Sequence, residues 1–330
     1  LHTKHSTYQM KVDRDFLIHT YYGPYVGDMD MSYLIREIDR GFSGNPYDAG
    51  TDRTYSMDSL PQELSCYGNG DFRSASLMLE NGDGSMSCDM RYKNYTIRDG
   101  KYSLPGLPAV YADNDEAQTL EIVLEDPATG VEAMLLYGVL PELDIITRSV
   151  YIRNQSSEKI YVNKVMSAEL DFLYGDYDLL TFYGRHAMER NLQRVPVAHG
   201  SQMIGSVRGT SSHQYNPMMI LAEKETTEDK GNCYAMSFVY SGCFQGEVLK
   251  DQLNQTRMML GLQEEAFRYP LETGEMFQAP EVILSYSSEG MNRLSQNLHH
   301  CIRQHICRGK YKEEIRPILI NSWEAAYFDF

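Results

Sequence analysis

Residues 120–135, LEIVLEDPATGVEAML, decide the fold class. Leu120, Ile122 and Leu124 alternate with Glu121 and Glu125. That period of two places the apolar side chains on one face of a strand. Asp126-Pro127-Ala128-Thr129-Gly130 then supplies turn chemistry, and Val131, Ala133 and Leu135 resume the alternation. Apolar alternation on both sides of such a turn is the signature of a β-hairpin. The next stretch repeats the design. Residues 145–153 (IITRSVYIR) read as a strand, Asn154-Gln155-Ser156-Ser157-Glu158 as a turn, and 159–167 (KIYVNKVMS) as the returning strand. The chain holds 25 tyrosines, and aromatic residues suit a pleated, half-buried surface. Many strands at close spacing predict a mainly β protein built as a large antiparallel sandwich. No internal repeat of the kind that builds propellers or solenoids recurs.

The pattern changes near residue 288. Met291, Leu294, Leu298, Cys301, Ile302 and Ile306 fall at helical spacing, which predicts a helix over 288–308 with Ser288 as its cap and Gly309 beyond its end. Pro317-Ile318-Leu319-Ile320 is then a short apolar run that ends in Asn321-Ser322-Trp323-Glu324. A buried barrel strand presents its carboxyl end in this way. The reading divides the chain into a sandwich at 1–287, a linker helix at 288–312, and the first strand of a truncated (β/α)8 barrel at 313–330.

Charge narrows the partners. Lys and Arg number 30 against 46 Asp and Glu, a formal net charge of -16, and no basic cluster stands against that background. Nucleic acid and anionic membrane surfaces both require one. No apolar run is long enough to span a bilayer, and Leu1-His2-Thr3-Lys4-His5 lacks the apolar core of a signal peptide. A neutral ligand such as a sugar meets no such obstacle. The cysteines at 66, 88, 233, 243, 301 and 307 follow no regular spacing. They read as reduced thiols of a cytoplasmic protein, not as a disulfide framework.

Other clusters have bland readings. Cys301 and His305 share a helix face, but Cys307 points elsewhere and no second ligand pair follows, so core thiols and surface histidines are expected and no metal. Ser212 and His213 are adjacent, which suits a loop better than a nucleophile–base pair. Asn81-Gly82-Asp83-Gly84-Ser85 lies between strands and reads as a hairpin turn, not as a phosphate cradle. No cofactor is expected.

The tail residues 316–330, RPILINSWEAAYFDF, resemble the first barrel strand of glycoside hydrolase family 36 α-galactosidases. Leu60-Pro61-Gln62-Glu63, Tyr67-Gly68-Asn69-Gly70-Asp71-Phe72-Arg73, Leu107-Pro108-Ala109 and Ile146-Thr147-Arg148-Ser149 look like the same family. So do Ser211-Ser212-His213-Gln214-Tyr215-Asn216-Pro217, Val239-Tyr240-Ser241-Gly242 and Cys307-Arg308-Gly309-Lys310, all in the family's order. The resemblance implies an amino-terminal β-supersandwich of the galactose-mutarotase kind, then a catalytic (β/α)8 barrel, then a smaller β domain. It implies retaining hydrolysis of terminal α-galactosides such as melibiose and raffinose, which needs two carboxylates close together. In that family both are Asp residues inside the barrel, one in a Lys-Trp-Asp-type motif. Neither that motif nor the Asp-Asp-Gly-Trp stretch that grips galactose occurs in these residues, whose single Trp is Trp323. The chain by itself is therefore expected to be inactive.

The resemblance also nominates substrate-binding residues. Trp323 falls at the mouth of the active site, where an indole can wall off or stack on a sugar; the competing reading is a packing residue at a strand end. Asp39 and Arg53 match loop charges that shape the substrate entrance of a neighbour in homo-tetramers, against the alternative of an ordinary ion pair. Tyr177, in Gly175-Asp176-Tyr177-Asp178, is a weaker member of the set. Where the family often has a Trp in a Gly-Ala-Trp-like segment, this chain departs to Tyr183-Gly184-Arg185-His186. Two other classes compete: an autonomous carbohydrate-binding module, and a mutarotase-like enzyme with a paired His and Glu, which the sequence does not single out.

Overall fold

The computed structural model describes residues 1–41 and 44–329. The chain opens on a hairpin of β1 (Ser6–Asp13) and β2 (Phe16–Pro24), and a long irregular stretch leads to β3 (Leu77–Glu80). β4 (Arg91–Asp99), β5 (Gln118–Glu125), β6 (Glu132–Leu140), β7 (Ile145–Arg153) and β8 (Ile160–Phe172) follow. Next come β9 (Tyr177–Arg185), β10 (Met188–Pro196), β11 (Gly200–Ser206), β12 (Tyr215–Glu223) and β13 (Cys233–Val239). β14 (Phe244–Lys250), β15 (Thr256–Leu262), β16 (Tyr269–Leu271), β17 (Met276–Gln278) and β18 (Glu281–Ser287) complete the strands, before helices α1 (Gly290–His305) and α2 (Trp323–Ala326).

A ten-stranded sheet runs β10-β9-β12-β13-β18-β7-β6-β5-β4, with β17 beside β7. A six-stranded sheet runs β11-β14-β15-β8-β16, with β3 beside β8. The ladders are antiparallel. This is the expected large antiparallel sandwich. The hairpin read from residues 120–135 is β5–β6, and Asp126 closes it: its N–H donates to Val131 O at 2.8 Å and its Oδ1 accepts from Ala128 N–H at 2.9 Å. The 145–153 strand is β7 residue for residue. The turn at Asn81–Ser85 forms, but β3 and β4 lie in different sheets, so it carries the chain between sheets and closes no hairpin.

One core lies between the two sheets and includes Leu135, Tyr137, Val150, Val162, Leu170 and Leu260. A second lies on the outer face of the larger sheet, where Leu294, Leu298 and Cys301 of α1 cover Ile145, Leu180, Ile220, Ala235 and Ile283. β6 is buried along its whole length: Leu135 and Tyr137 face the core between the sheets, and Met134 and Leu136 pack on the other side with Tyr102 and Leu104.

Three details of α1 differ from the sequence expectation. Ile302 is 43% exposed, because the apolar stripe that meets the sheet is narrower than the helical pattern suggested. Ser288 does not cap the helix. Gly290, Met291 and Asn292 instead donate their N–H groups to the carbonyls of Gly231, Thr227 and Glu228, so a neighbouring loop satisfies the first turn. His305 is buried, not on the surface, with Nδ1 2.8 Å from Tyr111 O.

The expected strand at 317–320 is not a strand here. Pro317–Ile320 pairs with nothing among the described residues, and Ile318, Leu319 and Ile320 stand almost fully exposed. A barrel strand needs neighbours on both edges for its N–H and C=O groups, and apolar surface on both faces.

Candidate functional site

The segment from Tyr25 to Leu60 holds the nominated loop charges. Arg40 N–H donates to Arg53 O at 2.9 Å, which lays residues 39–41 beside 52–54. Arg40 pairs with Asp58 at 2.7 Å and Arg14 with Asp52 at 2.9 Å, so the strap is tied within itself and to the opening hairpin. Within it Arg53 lies 3.0 Å from Asp39 Oδ1, and that same oxygen accepts from Gly41 N–H at 2.8 Å. Gly41 has a φ of 66°, which glycine adopts without steric cost. Both charged side chains remain more than half exposed. The structure thus brings Asp39 and Arg53 together as a solvent-facing acceptor and donor pair, suited to hydroxyl groups. Phe42 and Ser43 of this motif lie outside the described residues.

Tyr177 sits elsewhere. It is 5% exposed, its hydroxyl donates to Tyr174 O at 3.0 Å, and its ring packs on Phe172 and Tyr234. Burial pushes its phenol well above the usual range. The buried, internally bonded phenol serves the 174–177 turn, and Tyr174 is the exposed ring there. Trp323 is 46% exposed and opens α2. Its N–H donates to Asn321 Oδ1 at 2.8 Å, and its ring meets Tyr327 and Phe328 edge-on at 5.4 and 5.1 Å. Its contacts are thus with its own segment. His213 lies in a turn, as expected of a loop histidine.

The sequence did not single out a His–Glu pair, but the structure has one. His19 Nδ1 lies 2.7 Å from Glu63 Oε1. Glu63 also accepts from Tyr8 and Tyr137 hydroxyls and pairs with Arg148. Burial alone would raise the Glu63 carboxyl; the His19 hydrogen bond and the charges of His19 and Arg148 outweigh it and hold it below the usual range. The pocket beside His19, walled by Tyr22, Phe172 and Tyr234, is 120 Å³, well under the roughly 300 Å³ at which ligand sites begin. A catalytic base must reach its substrate, so this sealed pair does not support the mutarotase-like reading.

Glu63 belongs to a wider buried network with a visible purpose. Residues 55–66 are buried yet form no regular helix or sheet, so their backbone groups need other partners. Asp171 Oδ2 accepts from Gln62 N–H at 2.9 Å, and Glu169 Oε2 from Ser65 N–H at 2.8 Å. Arg73 donates to the carbonyls of Met57 and Leu60 at 2.9 and 2.7 Å, and Arg148 to that of Glu63. Arg257 ties Asp71 to Asp171 at 2.9 and 2.7 Å. Burial works against ionised Asp71 and Asp171, but the guanidinium groups of Arg257 and Arg73 hold both below the usual carboxylate range. Glu169 goes up: burial, aided by neighbouring Asp171, exceeds the pull of Arg257. The motifs 60–63, 67–73 and 146–149 are therefore the two sides of one packing device.

With the geometry in place, comparison with known proteins identifies the family. The model for the glycosyl hydrolase family 36 N-terminal domain matches residues 15–272, and the melibiase model matches 276–330. The chain belongs to glycosyl hydrolase family 36. It is 60% identical, over all of its length, to the bifunctional α-galactosidase/sucrose kinase AgaSK of Mediterraneibacter gnavus, of which it covers 35%. It is 41% identical to α-galactosidase AgaA of Geobacillus stearothermophilus, with 98% of this chain and 45% of that protein aligned. The solved galactosidase domain of AgaSK superposes with a TM-score of 0.97 over the whole chain and 46% of its own length. An AgaA variant in complex with raffinose gives 0.96 at 40% identity, again over the whole chain and 46% of the other. The chain thus spans less than half the length of these family members.

Proposed function

We propose that the chain is the amino-terminal portion of an α-galactosidase that hydrolyses terminal α-galactosides of the melibiose and raffinose type with retention. The observation that carries this reading is the family match across residues 15–330 together with 60% identity to AgaSK over the whole chain. In this reading residues 1–287 form the supersandwich, 288–312 the linker helix, and 313–330 the start of the catalytic barrel. Both catalytic carboxylates belong to that barrel and lie outside these residues. The exposed apolar run Ile318–Ile320 fits a strand that is covered when the barrel is complete. The sandwich supports homo-tetrameric assembly. Asp39 and Arg53 shape the entrance to a neighbour's site, Trp323 forms part of the mouth, and Tyr177 holds the turn that presents Tyr174. Six free cysteines suit a cytoplasmic location.

The test is enzymatic. The 330-residue chain and its full-length parent are assayed on a nitrophenyl α-galactoside, and the first-formed anomer is read by proton NMR. The parent should turn over and release α-galactose first, while the chain alone gives the buffer rate. Early β-galactose would overturn retention, and turnover by the chain that is lost on mutating one of its own residues would overturn the division of labour.

A further inference from the structure

At one end of the sandwich a 460 Å³ pocket opens between the β13–β14 turn, the end of β15 and β17. Its walls include Tyr240, Phe267 and Phe277, and Phe277 is braced edge-on by Phe267 at 5.8 Å and tilted against Tyr269 at 4.8 Å. Two primary amides, Gln263 and Gln278, share the lining. Gln278 Nε2 is buried and has no hydrogen-bond partner among the described residues. Cys243 also lines the space, with its Sγ held by Gly209 N–H at 3.1 Å.

Among the described residues the lining contains no charged side chain. In a chain with 30 basic and 46 acidic residues, that absence selects against an ionic ligand. The volume falls within the range of small-molecule sites. Aromatic faces accept the apolar C–H face of a pyranose, and primary amides both donate to and accept from hydroxyl groups. A wholly apolar ligand would leave the Gln278 donor without a partner, whereas a polyhydroxylated ring supplies an acceptor. We infer that this pocket binds a neutral glycosyl unit, as a secondary saccharide site on the sandwich itself. It is formed by residues other than Asp39, Arg53 and Trp323 and does not depend on the catalytic reading.

The test is calorimetric titration of the 330-residue chain with raffinose. Saturable binding in the millimolar range is expected. Phe277→Ala and Gln278→Leu should each weaken it at least about fivefold. Gln278→Leu removes a donor that has no partner among the described residues, so its melting temperature should match or exceed that of the unmodified chain, which separates ligand loss from misfolding. Tyr95→Ala, on exposed β4, should bind as the unmodified chain does. Absence of saturable binding, or unchanged affinity in both pocket variants, overturns the proposal. Neither result bears on hydrolysis by the parent, which is read by turnover.

Discussion

Arg148 Nη1 lies 3.4 Å from Glu63 Oε2 with both side chains closed to solvent, and the same guanidinium donates to the carbonyls of Glu63 and Glu169. One arginine on β7 thus joins the buried 55–66 segment to β8 of the opposite sheet. A guanidinium with a fixed fork of donors can do this; an ammonium cannot reach the same acceptors at once.

The first prediction follows. Glu63→Gln removes the charge that Arg148 and His19 face and leaves Arg148 buried without its carboxylate. Breaking a buried pair from one side costs about 3–5 kcal/mol. Urea unfolding of the chain should show a loss of that order. A loss below about 1 kcal/mol would mean that the network is not the fastener described here.

Acid should have the same target. Glu63, Asp71 and Asp171 have folded values below their unfolded ones, so the native state binds fewer protons. Their stabilisation is complete above the unfolded carboxylate range, about 4, and is lost as pH falls through the folded values. Glu169 runs the other way: its raised value stabilises at low pH, and that part is lost as pH rises through the folded value. Burial raises Asp251, beside Arg73 and Asp171, in the same sense, so three depressed groups stand against two raised ones. Unfolding free energy measured from pH 7 to pH 3 should therefore decline steeply below about pH 4. A flat profile there would contradict the assignment.

The position of α1 gives a paired test. Leu294 is 1% exposed against the sheet, and Leu294→Ala should cost about 2–5 kcal/mol through lost burial and a cavity. Ile302→Ala, on the exposed side, should fall within about 0.5 kcal/mol of the unmodified chain. Gly290→Ala should also destabilise, because φ is 80° there and a Cβ would stand 2.5 Å from Lys230 N. Equal losses at Leu294 and Ile302 would place the wrong face of the helix on the sheet.

What could be read from the sequence was local. The 120–135 hairpin and the 145–153 strand were legible because period-two alternation and turn residues lie within a few positions of each other. The ion pair of Asp39 with Arg53 was one of the two readings offered for those residues, across 14 positions. The network around Glu63 was not legible. Asp71 and Arg257 are 186 residues apart, and charged residues by type read as surface. The N-terminus of α1 was misread for a related reason: its acceptors, Thr227 and Glu228, come from a loop far upstream, while Ser288 stood at the expected place. The burial of Tyr177 was not legible either, because nothing in Gly175-Asp176-Tyr177-Asp178 tells that its ring turns inward onto Phe172 and Tyr234.

The last prediction concerns Arg53 in the full-length parent. In the proposed assembly the galactosyl ring sits deep in the barrel, held by that domain's own residues. A sandwich loop can reach only the rest of an oligosaccharide at the entrance. Arg53→Ala should therefore lower kcat/KM for raffinose several-fold to about tenfold, where tenfold is about 1.4 kcal/mol. That sits at or below the roughly 1.5–3 kcal/mol of a hydrogen bond to a charged group, as expected where both side chains are more than half exposed. A small aryl galactoside, which has no second sugar at the entrance, should be used almost as before. Arg53 also holds Asp39, and the strap could loosen without it, so Asp39→Asn serves as the companion variant: it weakens the pair but keeps a hydrogen-bonding group. If both variants keep the assembly state of the unmodified parent by size-exclusion chromatography and the two substrates lose equally, the contact with the distal sugar is disproved and the pair merely shapes the strap. If raffinose alone suffers, and Asp39→Asn suffers less than Arg53→Ala, the guanidinium meets the sugar itself.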